Sequence, residues 1–136
     1  GGDGIYLFDL PIWQRFGSYR DGLNFNGGRH YSIDFQMPTG TNIYAVKGGI
    51  ADKVWTDYGG GNSIQIKTGA NEWNCYMHLS KQLVRQGQRI KAGQLIGKSG
   101  ATGNFVRGAH LHFQLIQGSH PGNDTAKDPE KWLKSL

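Results

Sequence analysis

The sequence predicts an all-β domain, a two-sheet antiparallel β-sandwich or open barrel of short strands with glycine-rich loops and a short C-terminal helix. The prediction follows from three features of the chain. Apolar and polar residues alternate in short runs, as in Ser63-Ile64-Gln65-Ile66-Lys67, with the period of two that marks a half-buried strand. Glycine supplies 22 of the 136 residues, about twice its usual share, and it separates those runs where tight turns favour it. Helix-start chemistry occurs near the C-terminus. A chain of 136 residues can fold without cross-links and has room for one core of ordinary size, so a single domain over 1–136 is expected.

Residues 1–29 are rich in glycine and aromatics. Ile5-Tyr6-Leu7-Phe8 reads as a short strand, and Pro11, Gly17, Gly22 and Gly27-Gly28 punctuate an extended chain that wraps the domain and walls one side of a cleft. From Arg29 the pattern tightens. His30-Tyr31-Ser32-Ile33-Asp34-Phe35 alternates, with His30, Ser32 and Asp34 on one face and Tyr31, Ile33 and Phe35 on the other. Past the Pro38-Thr39-Gly40 turn, Asn42 to Val46 reads as a strand, and past Gly48-Gly49 so does Ile50 to Trp55.

The loop Tyr58-Gly59-Gly60-Gly61-Asn62 lacks the Lys-Ser/Thr pair and the helix of a phosphate loop. It reads as a cleft lining whose glycines admit an extended peptide. In the strand Trp73 to Leu79, Asn74, Tyr76 and His78 share one face and Cys75 and Met77 the other. On that alternation Cys75 points away from His78 and is a small core residue. Residues 83–97 form a ladder of short strands broken by glycines, and the loop Gly100 to Asn104 delivers the chain to a strand from His110 to Ile116. A short helix closes the chain, with Asp128 as N-cap, Pro129 at the first helical position and Glu130 in the first turn. Trp132 and Leu133 are placed to dock it.

Fifteen basic residues against ten acidic ones give a net charge of +5, which favours an anionic partner such as nucleic acid, an acidic membrane or an anionic cell wall. The basic residues are scattered, and aromatics do not interleave with them along a strand, so no nucleic-acid partner is expected. Cys75 is the only cysteine, which excludes a disulfide framework and a thiolate-rich zinc site. No apolar run approaches the roughly 18 residues of a membrane span. The chain opens without a signal peptide or initiator Met and reads as a mature or excised domain, leaving a signal or membrane anchor possible upstream.

The stretch Gly108-Ala109-His110-Leu111-His112-Phe113-Gln114 carries the chemistry. Alternation sends Leu111 and Phe113 to a core and both imidazoles to a cleft. Alone, such a pair is an ordinary half-exposed strand. Four of the five histidines, however, fall with Asp34 in three short stretches, around residues 30–34, 78 and 110–112. Catalytic zinc commonly takes three nitrogen or oxygen ligands and leaves a fourth position open. His30 and Asp34 reach one ion if the strand bends between them, sparing Ser32, and either His110 or His112 completes the set. His120, beside Pro121 in a polar loop, reads as solvated.

His30-x-x-x-Asp34, Tyr76-Met77-His78 and His110-Leu111-His112 resemble the signature of the lysostaphin-type zinc endopeptidases, which cleave peptidoglycan peptides. Asn26-Gly27-Gly28, Asp57 to Asn62, Met77-His78-Leu79-Ser80, Lys91-Ala92-Gly93-Gln94, Ser99 to Gly103 and Ala126-Lys127-Asp128-Pro129 are similar to that family in order and spacing. The resemblance covers 24–136; residues 1–23 match poorly. It implies that His30, Asp34 and His112 bind one Zn²⁺ and that His78 and His110 are the catalytic pair. It also implies a tyrosine in the N-terminal wall, for which Tyr19 is the nearest candidate, at a spacing from His30 unlike the family's. The implied activity is hydrolysis of peptidoglycan crossbridges at glycyl-glycine bonds of pentaglycine, by a monomer that is extracellular or at the bacterial cell surface or wall. The alternative is a module of the same fold that binds wall or activates an amidase without cutting.

Overall fold

The computed structural model of the chain describes residues 5–18, 29–103 and 108–136. The alternating runs become β1 (Ile12–Gln14), β2 (Gly17–Ser18), β3 (Arg29–His30), β4 (Ile33–Gln36), β5 (Asn42–Tyr44), β6 (Gly49–Asp57) and β7 (Gly61–Gly69). They continue as β8 (Glu72–Leu79), β9 (Lys81–Gln82), β10 (Arg89–Ile90), β11 (Leu95–Lys98), β12 (His110–Gln117) and β13 (Ala126–Lys127), before helix α1 (Glu130–Ser135). The main sheet runs β1-β4-β12-β8-β7-β6-β10, with β13 also on β12. A second sheet runs β5-β11-β9, and β2 pairs β3. Every pairing among the described strands is antiparallel. The fold is the expected mostly-β one, with open sheets.

Register decides which face of the main sheet is core. Phe113 lies opposite Ile33 on β4 and Tyr76 on β8, and Tyr76 lies opposite Ile64 on β7. All four are fully buried, because antiparallel partners point to the same side. His112, one residue away, lies opposite Asp34 and Met77 on the other face. Leu133 of α1 is buried in the same core and Trp132 stacks on Phe113 at 6.3 Å, so the helix docks as its apolar residues predict. Asp128 does accept the Glu130 N–H at 3.2 Å, but the N-cap position itself is Pro129. The helix therefore begins one residue later than expected.

Ile5–Asp9 is a 3-10 helix rather than a strand. A three-residue turn lets consecutive apolar side chains face different partners. Leu7 enters the core, Phe8 meets Phe35 edge-on at 5.4 Å, and Tyr6 meets Tyr44 at 5.8 Å. The Tyr6 hydroxyl also donates to the Tyr44 carbonyl at 2.9 Å and accepts its N–H at 3.0 Å.

Tyr76 ties the main sheet to the segment that follows β5. Its hydroxyl, fully buried, accepts the Val46 N–H at 3.0 Å, and burial pushes its phenol far above the ordinary tyrosine range. Tyr76→Phe strands that buried N–H, at a cost of about 1–3 kcal/mol. Thermal denaturation should show a midpoint lower by roughly 3–10 °C; an unchanged midpoint would mean that the bond contributes nothing.

Candidate active site

Along a straight strand, His30 and Asp34 would sit roughly 13 Å apart. The chain avoids this by changing partners: β3 pairs β2, β4 pairs β1 and β12, and the backbone bends at Ser32 between them. His30 Nε2 thereby comes 2.9 Å from Asp34 Oδ2. From across the sheet His112 brings Nδ1 to 3.4 Å from Asp34 Oδ1. The three side chains form a group able to hold a metal ion.

Each ring has its outward nitrogen fixed. His30 Nδ1 donates to the Arg15 carbonyl at 2.9 Å, and His112 Nε2 donates to Gln114 Oε1 at 3.0 Å. Gln114 is held in turn by Asn123 at 3.2 Å. A carbonyl only accepts, so both imidazoles carry their proton outside and turn a lone pair inward. Ser32 Oγ lies among the three, 2.9 Å from His30 Nε2, 3.0 Å from Asp34 Oδ1 and 3.1 Å from His112 Nδ1. One hydroxyl proton thus faces two lone pairs and a buried carboxylate. The excess of acceptors fits a cation, and two imidazoles with one carboxylate is a donor set zinc commonly takes in catalytic sites. With one ligand atom from each residue, the three atoms lie within 4.8 Å of one another, near enough to converge on one ion. Ser32 is therefore not spared by the bend, as the sequence reading required, but occupies the middle of the cluster.

Burial works against ionised Asp34, yet the hydrogen bond from His30 and the charges of His112, His30 and His110 in their protonated forms outweigh it and hold the carboxyl below its ordinary value. Burial, with His30 nearby, lowers His112 to about 4 despite Asp34. Burial, with His112 and His110 nearby, lowers His78 to about 3.

His78 departs from strand alternation. Tyr76 is in the core, so an ordinary extended strand would send His78 there too. Instead His78 takes φ of +64°, a left-handed conformation that turns its ring to the other face. There its centroid lies 4.8 Å from His110 and 5.4 Å from His112. Cys75, with Trp73, Ile116 and Met77, lines a small cluster on that same face, so the expected separation of Cys75 from His78 does not hold. Cys75 is buried, which pushes its thiol up to about 12. His78 Nδ1 donates to the Thr102 carbonyl and His110 Nδ1 to the Gly108 carbonyl, both at 2.8 Å. His110 Nε2 faces Asp34 Oδ2 at 3.6 Å, and Trp13 packs against the His110 ring at 4.6 Å. Tyr19 lies outside the described residues. His120 pairs with Asp124 at 2.7 Å, with its side chain more than half exposed.

Sequence reasoning passed over Gln114, Trp13 and Thr102. Gln114 was within reach, being two residues from His112 on the same strand face. Trp13 and Thr102 are not, because they meet their histidines only through the fold.

In metal-free protein the buried histidines make stability depend on pH. The unfolded chain protonates them near 6.5, the folded one only near 3 and 4. Their contribution is intact above pH 6.5 and is lost as pH falls towards 4, by on the order of 1 kcal/mol per pH unit for each. Urea denaturation of chelator-treated protein should show a lower midpoint at about pH 5 than at about pH 7.5; equal midpoints would contradict the buried neutral rings.

The sequence pattern of Peptidase family M23 matches residues 28–129. The chain belongs to this family. The M23 chain is 49% identical over 117 residues to the glycyl-glycine endopeptidase ALE-1 of Staphylococcus capitis, covering 83% of this chain and 31% of that protein. It is 47% identical over 115 residues to lysostaphin of Staphylococcus simulans, covering 83% and 23%. It thus spans less than a third of the length of these relatives. Its fold matches the crystallised catalytic domain of the antimicrobial peptidase lysostaphin from Staphylococcus simulans with a TM-score of 0.89 and 41% identity, over 96% of this chain and 97% of that one. A zinc-containing peptidase from Vibrio cholerae matches with a TM-score of 0.67 and 28% identity, over 88% and 39%.

Proposed function

We propose that residues 1–136 act as one catalytic unit, a zinc-dependent endopeptidase that hydrolyses glycyl-glycine bonds in the pentaglycine crossbridges of peptidoglycan, at the bacterial surface. The observation that carries this reading is the side-by-side placement of a zinc-compatible set, His30, Asp34 and His112, with two further histidines, His78 and His110, on the same face. A module that only holds wall has no need of the second pair.

His30, Asp34 and His112 would hold the zinc, which would supply Lewis-acid charge beside the scissile carbonyl and lower the pKa of water there. His78, neutral and with its proton committed to Thr102 through Nδ1, offers the Nε2 lone pair that takes the proton of the attacking water. His110, whose Nδ1–H is committed to the Gly108 carbonyl, acts in its doubly protonated form, donating through Nε2 a hydrogen bond to the developing oxyanion or a proton to the leaving amine, with the Asp34 carboxylate 3.6 Å away balancing the charge. Glycine on both sides of the bond fits a cleft that excludes side chains, and the net charge of +5 suits an anionic wall.

The test is digestion of purified wall crosslinked by pentaglycine, beside wall with direct crosslinks. New N-terminal glycines released only from the first are the expected product. New amino termini other than glycine, released from the second wall alone, would keep the reaction class and overturn the substrate.

A further inference from the structure

We infer that Thr102 is the positioning residue for His78, acting through a knot between the loop at 58–62 and the loop at 100–103. The inference rests on the catalytic reading of His78 and adds what holds that side chain in place. His78 is the only non-glycine residue with positive φ among those described, and a left-handed histidine needs outside support. Two carbonyls from the two loops provide it. The Gly60 carbonyl accepts the His78 backbone N–H at 2.8 Å, and the Thr102 carbonyl accepts the ring Nδ1–H at 2.8 Å.

The Thr102 carbonyl is fixed by its own side chain. Thr102 Oγ1 donates to the Leu79 carbonyl at 2.7 Å and accepts the Asn62 N–H at 3.0 Å, so one hydroxyl ties the residue after His78 to the other loop. Asn62 Nδ2 reaches the same Leu79 carbonyl at 3.0 Å. The glycines make room for this contact. A Cβ on Gly61, at φ +67°, would lie 2.4 Å from the Thr102 carbonyl carbon and from Oγ1. A Cβ on Gly103, at φ +90°, would lie 2.5 Å from the Gly59 oxygen and the Gly61 nitrogen. Gly61, part of the run that reads in sequence as an opening for substrate, makes room in the structure for the neighbouring loop. The hydrogen bonds of Thr102 go to His78, Leu79 and Asn62 rather than to His30, Asp34 or His112, so its effect on the site should run through His78.

The test compares Thr102→Val, which keeps the shape and removes both hydroxyl bonds, with Thr102→Ser, which restores them. Zinc-loaded protein labelled with ¹⁵N reports the His78 ring directly, through its tautomer and its Nδ1–H signal. Expected for Thr102→Val are loss or exchange broadening of that signal, kcat lower by roughly 10–100-fold, and KM and zinc affinity within about twofold of the parent. Thr102→Ser should recover both the signal and most of kcat. A Thr102→Val protein with the parent's His78 signal and kcat would overturn the inference. So would a Thr102→Val protein whose zinc affinity and melting temperature fall in step with kcat, since that marks a general structural role. If the parent protein cuts no glycine peptide, the catalytic reading fails, while the His78 signal in the two variants still decides whether Thr102 positions the ring.

Discussion

His112→Ala should remove stable zinc binding and lower kcat/KM on a pentaglycine peptide by about a thousandfold or more. The side chain presents Nδ1 to Asp34 at 3.4 Å and occupies the register position opposite it on β12. Without it the ion keeps only His30 and Asp34, and the several kcal/mol that a metal contributes to a hydrolytic transition state are lost. Gln114 also loses the ring that its amide oxygen orients. Competition with a chromogenic chelator measures the affinity, and peptide cleavage measures the rate. A variant that keeps stoichiometric zinc would show that His112 is not a ligand.

The second large effect separates proton transfer from metal binding. His78→Asn should lower kcat by roughly 10²–10⁴-fold with zinc bound as tightly as in the parent. Asparagine is the informative replacement because it tolerates the left-handed backbone that His78 adopts at φ +64°. The loss then reports the missing imidazole rather than a rearranged strand. Equal loss of zinc and of rate would place His78 among the metal ligands instead. Full activity would leave His110 as the one proton-transfer group.

The fold was legible where burial imposes a period of two. Ile33 and Phe35 against Asp34, and Leu111 and Phe113 against His112, each assign a face from the sequence alone, and the structure follows them. Ile5-Tyr6-Leu7-Phe8 could not be read this way, since four consecutive apolar residues suit a strand or a turn of helix equally. His78 defeated alternation for a different reason. Its face is set by one left-handed dihedral, which hydrogen bonds to the Gly60 and Thr102 carbonyls support, and no local pattern announces that. The three clustered residues stood out because histidine and aspartate are rare on apolar-flanked strands. Ser32 lay in plain view between two of them, yet its central position depends on the bend that brings His30 back over Asp34. Thr102 lies 24 residues from His78 along the chain, where only tertiary structure shows the link.

The central claim is that His30, Asp34 and His112 hold the zinc on which peptide cleavage depends. Its most direct test is a titration of zinc into chelator-stripped protein while cleavage of pentaglycine is followed in the same sample. Activity should start near zero, rise in proportion to added zinc and level off at about one ion per chain. Cleavage that proceeds at full rate in the stripped protein, or that ignores zinc up to stoichiometry, would contradict it.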